Sequence, residues 1–238
     1  MGSVYSSPSR STCVYRVSKV EDLINVIIPH FLNYPLLTQK YSDFVLWSKV
    51  VNIMSTKEHL STNGFNTILT YYASINKGMS TTVLSQFPDT VGVERVENEI
   101  TKSSIVLNPY WVSGFTAGDG GFSIGFRPST TSLDIIYFRF HIAQHFRDTL
   151  LMNKFIQFFG CGNVNVRPKD NRCDFYVQEF LLIYGKIIPH FVNYPLHNIK
   201  HLDFSDFQKA AELYKTDGRK NGEAIKTIIN NMNSKRIY

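Results

Sequence analysis

The residue with most chemical promise in this sequence is an aspartate that follows a run of small side chains. Asp119 closes the stretch Val112-Ser-Gly-Phe-Thr-Ala-Gly-Asp119 and is followed by two glycines and a phenylalanine. If that stretch is helical, Asp119 falls at its C-terminus, where free carbonyls and the negative end of the helix dipole favour a cation. A carboxylate there, with the backbone carbonyl of Gly118 beside it, is a hard oxygen site suited to Mg²⁺ or Mn²⁺ completed by water and phosphate. A metal so held suits phosphodiester cleavage, which needs a nucleophilic water and stabilisation of the leaving oxygen. A lysine near such a site can stabilise developing charge. Lys40 and Lys200 are candidates, because each follows an Asn-Tyr-Pro-Leu turn at an equivalent position.

The elements that must position these groups can be read around them. Asn108 is a good N-cap and Pro109 suits the first helical position, which predicts a helix from there to about Gly118. Gly120-Gly121 are expected to end it by taking backbone angles open to glycine. Ser113 with Ala117 and Gly114 with Gly118 stand four apart, clearing a helix face for close approach by another backbone. Phe122 to Arg127 then alternates like a strand with one buried face. The plainer reading of the whole stretch is a buried helix with a glycine C-cap.

Composition bounds the answer without deciding it. The 238 residues suffice for one large or two ordinary domains, and 43% hydrophobic with 18% charged residues describes a folded globular chain. A net charge of +6 permits a polyanionic partner. Cys13, Cys161 and Cys173 are odd in number and form no CxxC pair, which argues against a disulfide framework or a zinc ribbon. His141 and His145 read as polar strand residues rather than a metal pair. No apolar run approaches a membrane span, and the N-terminus carries neither a secretory leader nor an amphipathic transit peptide.

The chain repeats itself at a displacement of 160 residues. Ile27-Ile-Pro-His-Phe-Leu-Asn-Tyr-Pro-Leu36 recurs as Ile187-Ile-Pro-His-Phe-Val-Asn-Tyr-Pro-Leu196. In the same register Lys40 matches Lys200, Asp43 matches Asp203, and backwards Cys13 matches Cys173, Pro8 matches Pro168 and Gly2 matches Gly162. That symmetry explains Gly2 better than a myristoylation site does. Asn63-Gly64 and Asn221-Gly222 correspond after a slip of two residues.

The second copy is predicted to run helix, strands near 121–127 and 134–145, helix 147–159, strands 163–167 and 173–178, then helices near 179–190, 203–215 and 221–233. That αββαββα order makes an α+β domain over residues 108–238. The first copy, residues 1–76, holds only the rear half, a ββα-type unit with helices near 19–31, 41–54 and 63–76. Residues 77–107 read as the linker, and nothing corresponds to the front of the second copy.

The sheet of the second copy should carry one polar face. Ser123 and Arg127 fall opposite the phenylalanines of their strand, and Arg139, His141 and His145 share a parity in the next. Asn163, Asn165 and Arg167 follow, with Lys169 and Arg172 at the connecting turn. A twisted ribbon can enter a DNA major groove, where Arg reads guanine and Asn or Gln reads adenine. An ordinary solvated sheet face would show the same alternation.

Residues 112–120 resemble the LAGLIDADG homing-endonuclease motif, and the duplication, strand pattern and paired lysines extend the resemblance over nearly the whole chain. The resemblance implies two motif helices packed together, each ending in an acid that holds catalytic Mg²⁺ or Mn²⁺. It carries the metal-binding acid onto Asp119, the active-site lysines onto Lys200 and Lys40, and a polar residue near the catalytic waters onto Gln144. It further implies double-strand cutting of a long DNA target and an organellar group I intron as the coding site, mitochondrial before chloroplast. An upstream segment carrying the missing first motif is the expected partner of Asp119. The alternatives are a maturase that binds its own group I intron RNA, and an inactive remnant.

Overall fold

The computed structural model describes residues 1–7, 12–98, 105–130 and 133–233. Its contacts divide the chain into Met1–Lys102 and Ser103–Tyr238. The match of Pro8 with Pro168 and part of the expected linker lie outside the described residues.

In the second unit the helix Pro109–Asp119 leads into strands β3 (Gly120–Arg127) and β4 (Ile135–His145). The helix Thr149–Phe159 follows, then β5 (Asn163–Arg167) and β6 (Arg172–Val177). All four strands form one antiparallel sheet in the order β3-β4-β6-β5. Alternation places Phe122, Phe138, Phe140, Phe175 and Ile142 on one face, all essentially buried. Helices cover that face: Phe122 meets Phe191, Phe204 and Phe207, while Phe140 meets Phe159 and Phe191. Aromatic edges and faces interlock at ring separations of 5.2–5.8 Å, so truncating the fully buried Phe140 to alanine would cost about 3–5 kcal/mol.

Three helices depart from the sequence reading. The expected helix near 179–190 is α-helical at Phe180–Leu182, π-helical at Ile183–Ile187 and α-helical again at Ile188–Asn193. Pro189 lacks an N–H and its ring crowds the carbonyl four residues back, so widening the preceding turn relieves both problems. The next helix starts at Lys200 rather than near 203 and runs to Asp217, and the last is Gly222–Ile229.

The first unit shows the same devices at the same displacement. Strands β1 (Ser3–Ser7) and β2 (Thr12–Arg16) pair antiparallel, followed by α-helical Val20–Asp22, π-helical Leu23–Ile27 and α-helical Ile28–Asn33. The π turn again precedes a proline, Pro29, and Tyr34 ends its helix at φ −125°, ψ 76° where Tyr194 takes φ −127°, ψ 79°. Gly2 and Gly162 both have positive φ, 68° and 93°. Helices Lys40–Ser55 and Thr62–Ser74 complete the unit around Ile28, Phe44 and Val51. Asp43 accepts from the backbone N–H of left-handed Asn76 at 2.9 Å, and Asp203 accepts from that of left-handed Asn233 at 2.8 Å.

Much of the stretch read as linker is structured. It contains a helix, Thr81–Gln86, and folds back on the first unit. Arg95 pairs with Asp43 at 2.8 Å and donates to the Ser74 carbonyl at 2.7 Å, while Asn98 donates to the Thr38 carbonyl at 2.6 Å. Phe87 adds an aromatic contact, its ring 5.6 Å from that of Phe65.

Candidate functional site

The helix that carries Asp119 is fixed at both ends. Asn108 accepts from the N–H groups of Tyr110 and Trp111, and Pro109 occupies the first turn. Trp111 and Phe115 stack at 4.7 Å and lean on Phe155 of the helix Thr149–Phe159. Ser113 donates to the Tyr194 carbonyl at 2.7 Å and lies 3.3 Å from Nε2 of His190, which burial pushes down to about 4.

The small residues divide between two directions, which corrects the expectation of one cleared face. Ser113 is buried inside its own unit, whereas a Cβ on Gly114 or Gly118 would meet nothing within 4 Å. The two glycines after Asp119 also differ from expectation. Gly120 sits at φ −93°, ψ 173°, extended backbone that any residue adopts. A Cβ there would lie 2.7 Å from Thr116 Cγ2, and one on Gly121 would lie 2.8 Å from His141 Cε1. Clearance, not backbone freedom, requires these glycines.

At the helix C-terminus the side chains converge. Asp119 is exposed, and the Gln144 amide donates to its Oδ2 at 2.8 Å while Gln144 Oε1 accepts from the His145 N–H at 2.9 Å. Lys200 Nζ donates to the carbonyls of Thr116 and Gly118 at 3.2 and 3.0 Å. Burial pushes the Lys200 ammonium below its ordinary value, with Asp119 and Asp203 pulling it back up. Asn198 donates to the Ala117 carbonyl at 2.8 Å and accepts from the Lys200 N–H at 3.2 Å. The last carbonyls of the helix are thereby capped by a cation and an amide.

Sequence reading brought Asp119, Gly118, Gln144 and Lys200 to this place and missed Asn198. The signal for Asn198 was the need to satisfy those carbonyls. Lys40 begins its own helix in the first unit, its N–H 3.3 Å from Thr38 Oγ1 as that of Lys200 faces Asn198.

The strand register puts Ser123, Arg139, His141, His145, Asn163, Asn165, Arg167 and Arg172 on one sheet face. Arg127 lies over the Tyr137 ring at 4.7 Å and Arg139 over Tyr176 at 5.2 Å. Burial first, and Arg139 next, hold His141 below its ordinary value. Lys169 stands exposed in the turn Pro168–Asp170, and Arg172 is the first residue of β6 rather than part of that turn. Among the described residues no group of three His, Cys, Asp or Glu side chains stands together to hold a metal.

The family described as LAGLIDADG endonuclease matches residues 1–51 and 112–211. This chain belongs to the LAGLIDADG endonuclease family. Similar curated proteins include a probable intron-encoded endonuclease 2 of Neurospora crassa, 36% identical over 98% of this chain and 52% of that protein. A probable intron-encoded endonuclease 3 of the same fungus is 33% identical over 96% of this chain and 42% of that protein. The chain thus spans about half the length of these relatives. Among solved structures, the I-SmaMI LAGLIDADG homing endonuclease bound to cleaved DNA superposes with a TM-score of 0.93 at 33% identity, covering 100% of this chain and 79% of that one.

Within this LAGLIDADG unit, sequence reading also missed Asp174. It lies on the polar face, buried, between the guanidinium groups of Arg167 and Arg172. Burial pushes its carboxyl up, but hydrogen bonds from the two arginines outweigh this and hold it below the usual carboxylate range. Its parity with Arg172 and Tyr176 was the signal available.

Proposed function

We propose that this chain is part of a metal-dependent homing endonuclease that makes double-strand cuts at a long DNA target. The observation that carries this is the junction of Asp119, Gln144 and Lys200 at the C-terminus of the LAGLIDADG helix, beside a basic sheet face. Support comes from relatives named as intron-encoded endonucleases and from a solved relative bound to cleaved DNA.

The donor set fits Mg²⁺ or Mn²⁺. An exposed carboxylate and backbone carbonyls are hard oxygen donors, and with one carboxylate most of the shell is left to water and phosphate. Asp119 would hold the metal beside the Gly118 carbonyl. Bound there, the ion would acidify a water and neutralise charge gathering on the phosphate. Gln144 fixes the Asp119 carboxylate through Oδ2. Lys200, drawn below its ordinary value by burial, holds a positive charge and an exchangeable proton next to Asp119. Ser123, Arg127, Arg139, His141, His145, Asn163, Asn165, Arg167, Lys169 and Arg172 would divide between bases and phosphates.

Asp119 serves one strand in this scheme. The second acid comes from a segment upstream of residue 1, and Lys40, the repeat partner of Lys200, serves that second acid. Intron-encoded fungal relatives support a mitochondrial intron as the coding site.

Incubating the chain with the uninterrupted host sequence and Mg²⁺, with and without the upstream segment, tests the reading. Double-strand cuts are expected only with the segment. Intron RNA binding and splicing assistance without DNA cutting would sink it in favour of a maturase.

A further inference from the structure

The acid buried on the basic face is the least expected residue of that surface. A carboxylate facing phosphates is repelled by them, and burying one is costly unless it is paired. Asp174 is paired twice. Its Oδ1 accepts from Arg172 Nε at 2.9 Å, and its Oδ2 accepts from Arg167 Nη2. The Asp174 side chain is 5% exposed, those of Arg172 and Arg167 48% and 41%.

The two arginines use this carboxylate differently. Arg167 gives Nη2 to Asp174 and holds Nη1 3.7 Å from the exposed Asp170 carboxylate, so both ends of its fork face carboxylates. Arg172 spends only Nε on Asp174, and both its Nη groups lack a protein partner among the described residues. An end-on guanidinium with two free, coplanar amino groups matches the O6 and N7 acceptors of guanine in the major groove. Holding Nε fixes the plane of that fork before DNA arrives, which reduces the entropy lost on binding.

Arg172 also lines a shallow, open depression with Ala143, Gln144, His145, Asp170 and Asn171. Gln144, which shares that depression, is the residue bonded to Asp119. The base addressed by Arg172 therefore lies next to the cutting centre.

Resting on the DNA-binding reading above, we infer that Arg172 reads a guanine close to the scissile phosphates, with Asp174 as its positioning residue and Arg167 as the brace that neutralises Asp174. Arg167 adds charge toward the backbone but no base choice.

The test is selection of a randomised duplex library by the full chain, comparing wild type with Asp174→Asn, Arg172→Lys and Arg167→Lys. Thermal melting confirms folding of each variant. Wild type should enrich guanine at a defined position. Arg172→Lys and Asp174→Asn should each lose that preference by about 10-fold while preferences elsewhere persist, because a good bidentate pair carries discrimination of that order. Arg167→Lys should keep it. If Asp174→Asn does not fold, Arg172→Lys alone decides. A uniform loss with Arg172→Lys at all sequences would assign Arg172 to phosphate and overturn the inference. So would a uniform gain in affinity with Asp174→Asn and the guanine preference intact. Failure of wild type to bind DNA at all would overturn the proposed function and this inference with it.

Discussion

The Gln144 amide donates to Asp119 Oδ2 at 2.8 Å, joining the inner end of a central strand to the last residue of the LAGLIDADG helix. That bond fixes the carboxylate relative to the sheet, so the acid and the side chains of the polar face share one frame. Replacing Asp119 with asparagine should reduce cleavage by the complete enzyme at least about 10³-fold while DNA affinity changes little. Cleavage and gel-shift assays on one target separate the two effects. Lost affinity would count against a purely catalytic Asp119.

Lys200 sits where burial lowers its proton affinity and two helix carbonyls hold its ammonium. Arginine keeps the charge but does not release a proton near neutral pH. Lys200→Arg should therefore bind DNA normally, cut about 10²-fold more slowly, and lose the alkaline dependence of the wild-type rate. Single-turnover rates between about pH 6 and 10 read this out. A wild-type-like profile in the variant would exclude proton transfer by Lys200.

His190 is buried against Ser113, Phe158, Phe159, Phe191 and Tyr194, and burial lowers it to about 4. The unfolded chain takes up that proton near 6.5, its ordinary value, so between these two values the unfolded state binds more protons. Stability contributed by neutral His190 is complete above about pH 6.5 and falls as pH drops toward 4, by on the order of 3 kcal/mol. Denaturant melts of wild type and His190→Gln across this range should show the variant with a flatter profile.

Gly120 leaves no room for a side chain, since a Cβ would stand 2.7 Å from Thr116 Cγ2 and 3.0 Å from the Thr116 carbonyl oxygen. Gly120→Ala should destabilise the unit by about 1–3 kcal/mol and displace Asp119. At Gly114 a Cβ meets nothing, so Gly114→Ala should leave the stability of the isolated chain within about 0.5 kcal/mol, helix propensity aside. In the complete enzyme the same change should weaken cutting if a second helix packs there. Thermal melts of both forms check the contrast.

Much of this protein was legible from residue type and spacing, because the signals were local or duplicated. Strand alternation assigned Ser123, Arg139, His141 and His145 to their side, and the 160-residue repeat carried Lys40 onto Lys200 and Gly2 onto Gly162. The N-cap Asn108 and the terminal Asp119 followed from helix-end chemistry. What stayed hidden depends on neighbours distant in sequence. The π turns before Pro29 and Pro189 answer a steric conflict within the packed helix, not a pattern of hydrophobicity. The direction faced by Ser113 was decided by Tyr194 and His190, and the need for Gly120 and Gly121 by Thr116 and His141. Asn198 on the helix carbonyls and Asp174 between two arginines emerged only when the fold brought their partners within hydrogen-bonding distance. Sequence by itself determined which residues could do the chemistry. Tertiary structure decided which of them meet, because hydrogen-bond geometry and clearance are set by packing and not by composition.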